Sequence, residues 1–150
     1  MPNNYKFFNR ELSWIEFNAR VLNEACRKEV PLLERLSFLG ITSTNFEEFF
    51  QVRVASIKRQ EEEDPHCTDS SGLTPSQLLK QISKRCHEIV KLQYETLCND
   101  ILPKLAAKGI AYIPPEKLSA EQKSFTQNYF LHDISPVLTP SGQTALSFQA

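Results

Sequence analysis

The stretch TSTNFEEFF, residues 42–50, sets four small polar residues in front of a phenylalanine-rich run. Asn45 within it carries an amide that donates and accepts hydrogen bonds at once, the combination that an adenine edge complements. Helix capping competes for the same residue. Thr44 with Glu47, or Asn45 with Glu48, each has the spacing of a capping box, and capping is what such residues usually do at a helix start. If Thr44 caps, the Asn45 amide is free for another partner. Glu47 and Glu48 would serve as an acid and base pair only if their surroundings pushed their pKa values apart. They read more simply as first-turn carboxylates, favoured by the exposed amides of a helix start.

Other candidate chemistry is sparse. His66-Cys67 and Cys86-His87 offer zinc-type donors, but adjacent residues on a helix project about 100° apart, and the spacings match no usual zinc pattern. No metal ligand is assigned to them, nor to the run Glu61 to Asp64, which reads as a solvated loop. The four glycines, Gly40, Gly72, Gly109 and Gly142, stand isolated, which leaves no Walker loop and no dinucleotide fingerprint. No catalytic residue is identified in the chain.

These residues need a folded frame, and the composition supplies one. In 150 residues, 41% are hydrophobic and 23% charged, ordinary values for a globular chain able to bury a core. A formal net charge of −1 argues against a dominant phosphate-binding surface, so no nucleic-acid partner is expected. The N-terminus lacks a signal-like pattern and no run is long enough to span a bilayer, which points to a cytoplasmic protein. The four cysteines, Cys26, Cys67, Cys86 and Cys98, are irregularly spaced and read as reduced thiols.

The elements follow from periodicity and punctuation. Ser13 with Glu16 predicts a capping box, Leu12 and Phe17 a hydrophobic staple, and Trp14, Phe17, Val21 and Ala25 a helical stripe flanked by Ile15, Leu22 and Cys26. Pro31 opens a short helix carrying Leu32, Leu33, Leu36 and Leu39, which Gly40 is expected to end. A new helix then starts at Thr44 or Asn45 and buries Phe46, Phe49, Phe50, Val54 and Ile57. The run EEEDPHCTDSSG reads as a loop. Thr74, Pro75 and Gln77 begin a long amphipathic helix bearing Leu78, Ile82, Cys86 and Ile89. Asp100 is a possible cap before Pro103, which kinks this helix or starts a shorter one stopped by Gly109. IAYI, residues 110–113, reads as a strand, and Ser119 with Gln122 caps a further helix carrying Phe125, Tyr129 and Phe130. This change of pattern places a domain boundary near Gly109. LTPSGQTALSFQA lacks periodicity, so the chain is expected to stop partway into a second unit.

Read together, NRELSWIEFNARVLNEA, PLLERLSFLGITSTNFEEFFQVRVASIKRQ and LTPSQLL resemble, in order and spacing, the N-terminal domain of the bacterial long-chain polyphosphate kinases, over about residues 7–140. The resemblance implies a mainly α fold: an antiparallel helical N-terminal domain, residues 1–108, followed at 109–150 by the first strand and helix of an incomplete α/β head domain. It implies an enzyme that reversibly transfers the terminal phosphate of ATP to polyphosphate, dimeric and magnesium-dependent as the full-length protein. The magnesium ligands, phosphate clamp and phosphorylated histidine would lie outside this chain. Asn45 matches the family's nucleotide contact, so this segment is expected to help form the adenine end of the ATP pocket and to be inactive alone. Phe46 stands where the family more usually has leucine, and after PVLTP the chain lacks the family's aspartate and HPFP-like run. A non-enzymatic helical interaction module is the reading from another class.

Overall fold

A computed structural model describes residues 7–138. The departure from the family pattern after Pro140 lies outside the described residues. Within them the chain divides into two compact units, one ending at Ala111 and the other beginning at Tyr112.

The first unit begins with α1, Arg10–Cys26. Its cap falls earlier than the sequence suggests: Asn9 Oδ1 accepts from the backbone N–H groups of Glu11 and Leu12, each at 2.9 Å. Ser13 therefore lies inside the helix and donates its hydroxyl to the Asn9 carbonyl at 2.8 Å. Glu16 accepts from Arg85 instead of closing a box, and Phe17, the expected staple partner, is exposed. The buried face also rotates from the expected stripe, running through Ile15, Asn18, Leu22 and Ala25.

The largest correction concerns α2, Leu32–Glu48. Gly40 does not end it, and neither Thr44 nor Asn45 caps anything, because both lie inside an unbroken helix. Among the described residues only Gly72 and Gly109 take up the left-handed backbone that a glycine stop uses. A glycine inside a helix costs about 1 kcal/mol relative to alanine. Burial of Arg35, Leu39, Thr42 and Phe46 along α2 offsets that local preference, since packing dominates helix stability. Glu47 and Glu48 accordingly sit in the last turn of α2, not in a first turn.

Beyond Glu48 the helix widens into a π-type segment, Phe49–Val54, and continues as α3, Ala55–Glu63. In an undisturbed α-helix residue 53 would share the face of Phe46 and Ile57. The wider turn places Val54 in the core beside Phe49 and Ile57 and leaves Arg53 partly exposed. Phe50, expected in the core, is also exposed.

The loop begins only at Asp64, because Glu61 to Glu63, read from the sequence as loop, form the last turn of α3; α4 then runs Pro75–Thr96 from the Thr74 and Gln77 capping box, with Pro75 at its first position. The predicted face holds: Leu78, Ile82, Cys86 and Ile89 are buried, and burial pushes the Cys86 thiol up to about 11. Ahead of Pro103 the helix widens again, Leu97–Ile101, before the short α5, Leu102–Ala106. Proline lacks an amide proton and crowds the preceding turn, which a wider turn relieves. Gly109, at φ +83°, closes the segment as predicted, while the Ile110 amide donates to the Leu105 carbonyl at 2.9 Å.

Cross-helix bonds give the directions. Arg35 Nε donates to the Ala25 carbonyl at 2.6 Å and Asn18 Nδ2 to the Thr42 carbonyl at 3.1 Å, so α1 and α2 are antiparallel. Gln93 Nε2 donates to the Leu39 carbonyl at 2.9 Å and Arg35 pairs with Asp100, which makes α4 antiparallel to α2. The expected antiparallel helical architecture is therefore present. Asp100 is no cap: it pairs with Arg35 and Lys104.

The strand predicted at residues 110–113 does not form. Among the described residues there is no strand, and residues 110–113 are an exposed connection with no neighbour to complete a ladder. The Ser119 and Gln122 capping box does start α6, Ala120–Tyr129, on which Phe125 and Tyr129 stack in the open with centroids 6.2 Å apart.

In the first unit, packing and charge pairing each carry a measurable share of the stability. Phe49 is 1% exposed, so Phe49→Ala should lower the unfolding free energy by about 3–4 kcal/mol in urea denaturation. Lys104 and then Arg35 hold the Asp100 carboxyl down at about 2. A depressed carboxyl contributes stability above its unfolded pKa and loses it as pH falls through the folded value. Asp100→Asn should thus destabilise by about 2 kcal/mol at pH 7, less than for a fully buried pair because water reaches Asp100. Denaturation at a series of pH values should show that difference vanishing between about pH 4 and pH 2.

Candidate functional site

Where α1 passes the junction of α2 and α3 a cavity of about 530 Å³ opens. Its walls combine aromatic, amide and charged groups. Trp14 and Phe17 come from α1, Asn45 and Glu48 from the end of α2, Phe49 and Arg53 from the wide turn, and Ser56 and Gln60 from α3. Seven of the twelve lining residues are polar or charged, so the cavity is more polar than the mostly apolar clefts that take drug-like molecules and suits a ligand with many polar groups.

The aromatic wall is rigid. Trp14 and Phe49 stack with centroids 4.6 Å apart and planes 4° apart, and Phe46 meets Trp14 edge-on at 6.5 Å. Phe49 and Phe46 are buried, so the indole is held on fixed partners at the cavity wall. Phe17 lies on the same wall with Arg20 above its ring.

The charged wall centres on Glu11, which is 8% exposed. Its carboxylate accepts from Arg10 at 2.8 Å and from Arg53 at 3.1 Å. The early cap at Asn9 adds the turn that carries Glu11, and the wide turn directs Arg53 toward it. Arg10 and Arg53 bracket the Glu11 carboxylate, and with Glu48 the lining holds two charges of each sign, so the guanidiniums offer donors to an anionic group without giving the cavity a net positive charge.

Asn45 lies between these walls and is half-buried. Its Nδ2 donates to Asn18 Oδ1 at 2.9 Å, and Asn18 in turn donates to the Thr42 carbonyl at 3.1 Å. Asn18 and Thr42 are fully buried. Among the described residues no donor reaches Asn45 Oδ1 or either carboxylate oxygen of Glu48. Sequence reasoning singled out Asn45 but missed Asn18. Its signal was present: an asparagine at the spacing of Ile15, Leu22 and Ala25 is a polar residue on the buried stripe of α1.

The other candidates remain apart from this cavity. Glu47 accepts from Gln51 at 3.3 Å on an exposed surface. Cys67 accepts from Gln60 at 3.0 Å, and His87 pairs with the Ser83 carbonyl at 2.7 Å. All four cysteines are free. Among the described residues no three His, Cys, Asp or Glu side chains gather as a metal site requires, and no helix is long and apolar enough to cross a membrane.

Comparison with known proteins agrees with this arrangement of helices. A polyphosphate kinase of Halalkalibacterium halodurans is 49% identical over 133 residues, 88% of this chain and 19% of the relative. A polyphosphate kinase of Lactiplantibacillus plantarum is 46% identical over 134 residues, 89% of this chain and 19% of the relative. The crystal structure of polyphosphate kinase from Porphyromonas gingivalis matches with a TM-score of 0.67 at 32% identity, covering 91% of this chain and 19% of that one. The chain thus spans about a fifth of the length of the relatives it matches. Residues 7–113, which include all of α1 to α5 and every wall of the cavity, match the polyphosphate kinase N-terminal domain, and the chain belongs to that family.

Proposed function

We propose that this chain is the N-terminal part of a polyphosphate kinase, in which it forms the adenine end of the ATP pocket with Asn45 as the nucleotide contact. The observation that carries the reading is the Asn45 amide. It lies on the wall of a cavity, half-buried, with one end held and the other unclaimed among the described residues. An unclaimed amide oxygen beside a fixed indole, with two arginines at the rim, matches a base that stacks, donates and carries phosphates.

The complete enzyme would transfer the terminal phosphate of ATP reversibly to polyphosphate, in the cytoplasm and as a homodimer. Phosphoryl transfer needs positioning and charge stabilisation around the phosphates. This segment contributes positioning. Magnesium and the phosphorylated histidine are proposed to belong to other parts of the enzyme, as the family resemblance implies. Residues 109–150 are proposed to begin the head domain, a reading supported by the separate compact unit from Tyr112. Glu11 is a supporting residue here: it holds Arg10 and Arg53 at the rim.

In the full-length enzyme, Asn45→Ala should weaken ATP binding by about 1 kcal/mol, or several-fold, in isothermal titration. Unchanged ATP affinity would contradict the assignment. Residues 1–150 alone should form no polyphosphate from ATP in an assay that detects turnover by the full-length enzyme.

A further inference from the structure

The buried amide chain behind Asn45 has a direction, and its direction has a chemical consequence. The Thr42 carbonyl can only accept a hydrogen bond. Asn18, fully buried against it, must therefore present Nδ2 to that carbonyl, at 3.1 Å. The Asn18 Oδ1 is then left facing Asn45, at 2.9 Å. An oxygen there demands a donor, so Asn45 must turn its Nδ2 inward. The Thr42 hydroxyl does not disturb this order, because it donates to the Phe38 carbonyl at 2.8 Å. Each amide is thus oriented by its partner, starting from a backbone atom that cannot change sign.

We infer that Asn18 is a positioning residue that locks the Asn45 amide with Oδ1 outward, so that the pocket selects a purine bearing an amine at its 6-position over one bearing a 6-oxo group. The inference rests on the proposal that Asn45 contacts the nucleotide base. A free asparagine would accept either purine, because its amide can flip to offer a donor or an acceptor. Here the flip would set Asn45 Oδ1 against Asn18 Oδ1 in a buried place, breaking one hydrogen bond and opposing two acceptors. A 6-oxo purine therefore meets an acceptor with its own acceptor and cannot recruit the amide to adapt. Discrimination of this kind arises when a site's own polar groups are left unpaired by the wrong ligand.

The test uses the full-length enzyme and three probes: ATP, purine riboside 5′-triphosphate, which has hydrogen at the 6-position, and ITP, which has oxygen. Dissociation constants should rise in that order, several-fold on losing the amine and about tenfold or more for ITP. Asn18→Leu should collapse the ATP to ITP ratio toward one by freeing the Asn45 amide. Asn18→Ala, which leaves space for a water able to donate or accept toward Asn45, should do the same should the leucine variant fail to fold. A structural role alone would lower the melting temperature and leave the ratio intact. If Asn45→Ala weakens ATP but wild-type enzyme binds ITP as tightly as ATP, or both Asn18 variants keep the wild-type ratio, the inference is overturned. If Asn45→Ala leaves ATP binding unchanged, the nucleotide reading itself fails.

Discussion

A buried amide can stay between two helices only if its donor and its acceptor are both matched, and Asn18 meets that condition at the α1 and α2 interface. It is fully withdrawn from water, so an unmatched end would cost about 1–3 kcal/mol. The match requires α2 to pass Thr42 and Asn45 in one continuous helix, with both residues turned toward α1. Had Gly40 or Thr44 broken the helix, the carbonyl and the amide that satisfy Asn18 would not share a face. The same register brings Arg35 to the Ala25 carbonyl at one end and Phe46 and Phe49 to Trp14 at the other.

The cavity is a consequence of that register. Once α2 is unbroken, the wide turn at Phe49–Val54 changes which residues face inward. It keeps Phe49, Val54 and Ile57 in the core and frees Arg53 for Glu11. Widened turns of this kind often accompany functional sites. A stacked indole, a half-buried amide and a carboxylate bracketed by two arginines are thereby gathered from distant parts of the sequence. None of these groups is reactive. Their arrangement suits holding a ligand, which agrees with membership in a family whose N-terminal domain matches residues 7–113.

Features set by neighbours in sequence were legible. The boxes at Thr74 with Gln77 and at Ser119 with Gln122 formed as expected, because a cap is satisfied within one turn. Gly109 ended its helix for the same local reason. Ser13 with Glu16 had an equally good pattern, yet Arg85, remote in sequence, took the glutamate. Gly40 looked like a stop, but its cost was smaller than the packing on either side of it. Residues 110–113 had strand-like composition, which cannot form a ladder without a partner. Asn45 was legible as a functional candidate, partly by its amide and mainly by family resemblance. Its partner Asn18 left a signal as a polar residue on the buried stripe of α1, but only the folded chain shows that Thr42 and Asn45 meet it.

Under the proposed function the nucleotide base docks against α1 and the end of α2, with Asn45 as its polar contact. A crystal structure of the full-length enzyme with a non-hydrolysable ATP analogue tests this most directly. The base should lie in the cavity beside Trp14 and Phe17, with its exocyclic amine within hydrogen-bond distance of Asn45 Oδ1 and the Asn45 to Asn18 bond retained. A base bound elsewhere, or one whose amine points away from Asn45, would contradict it.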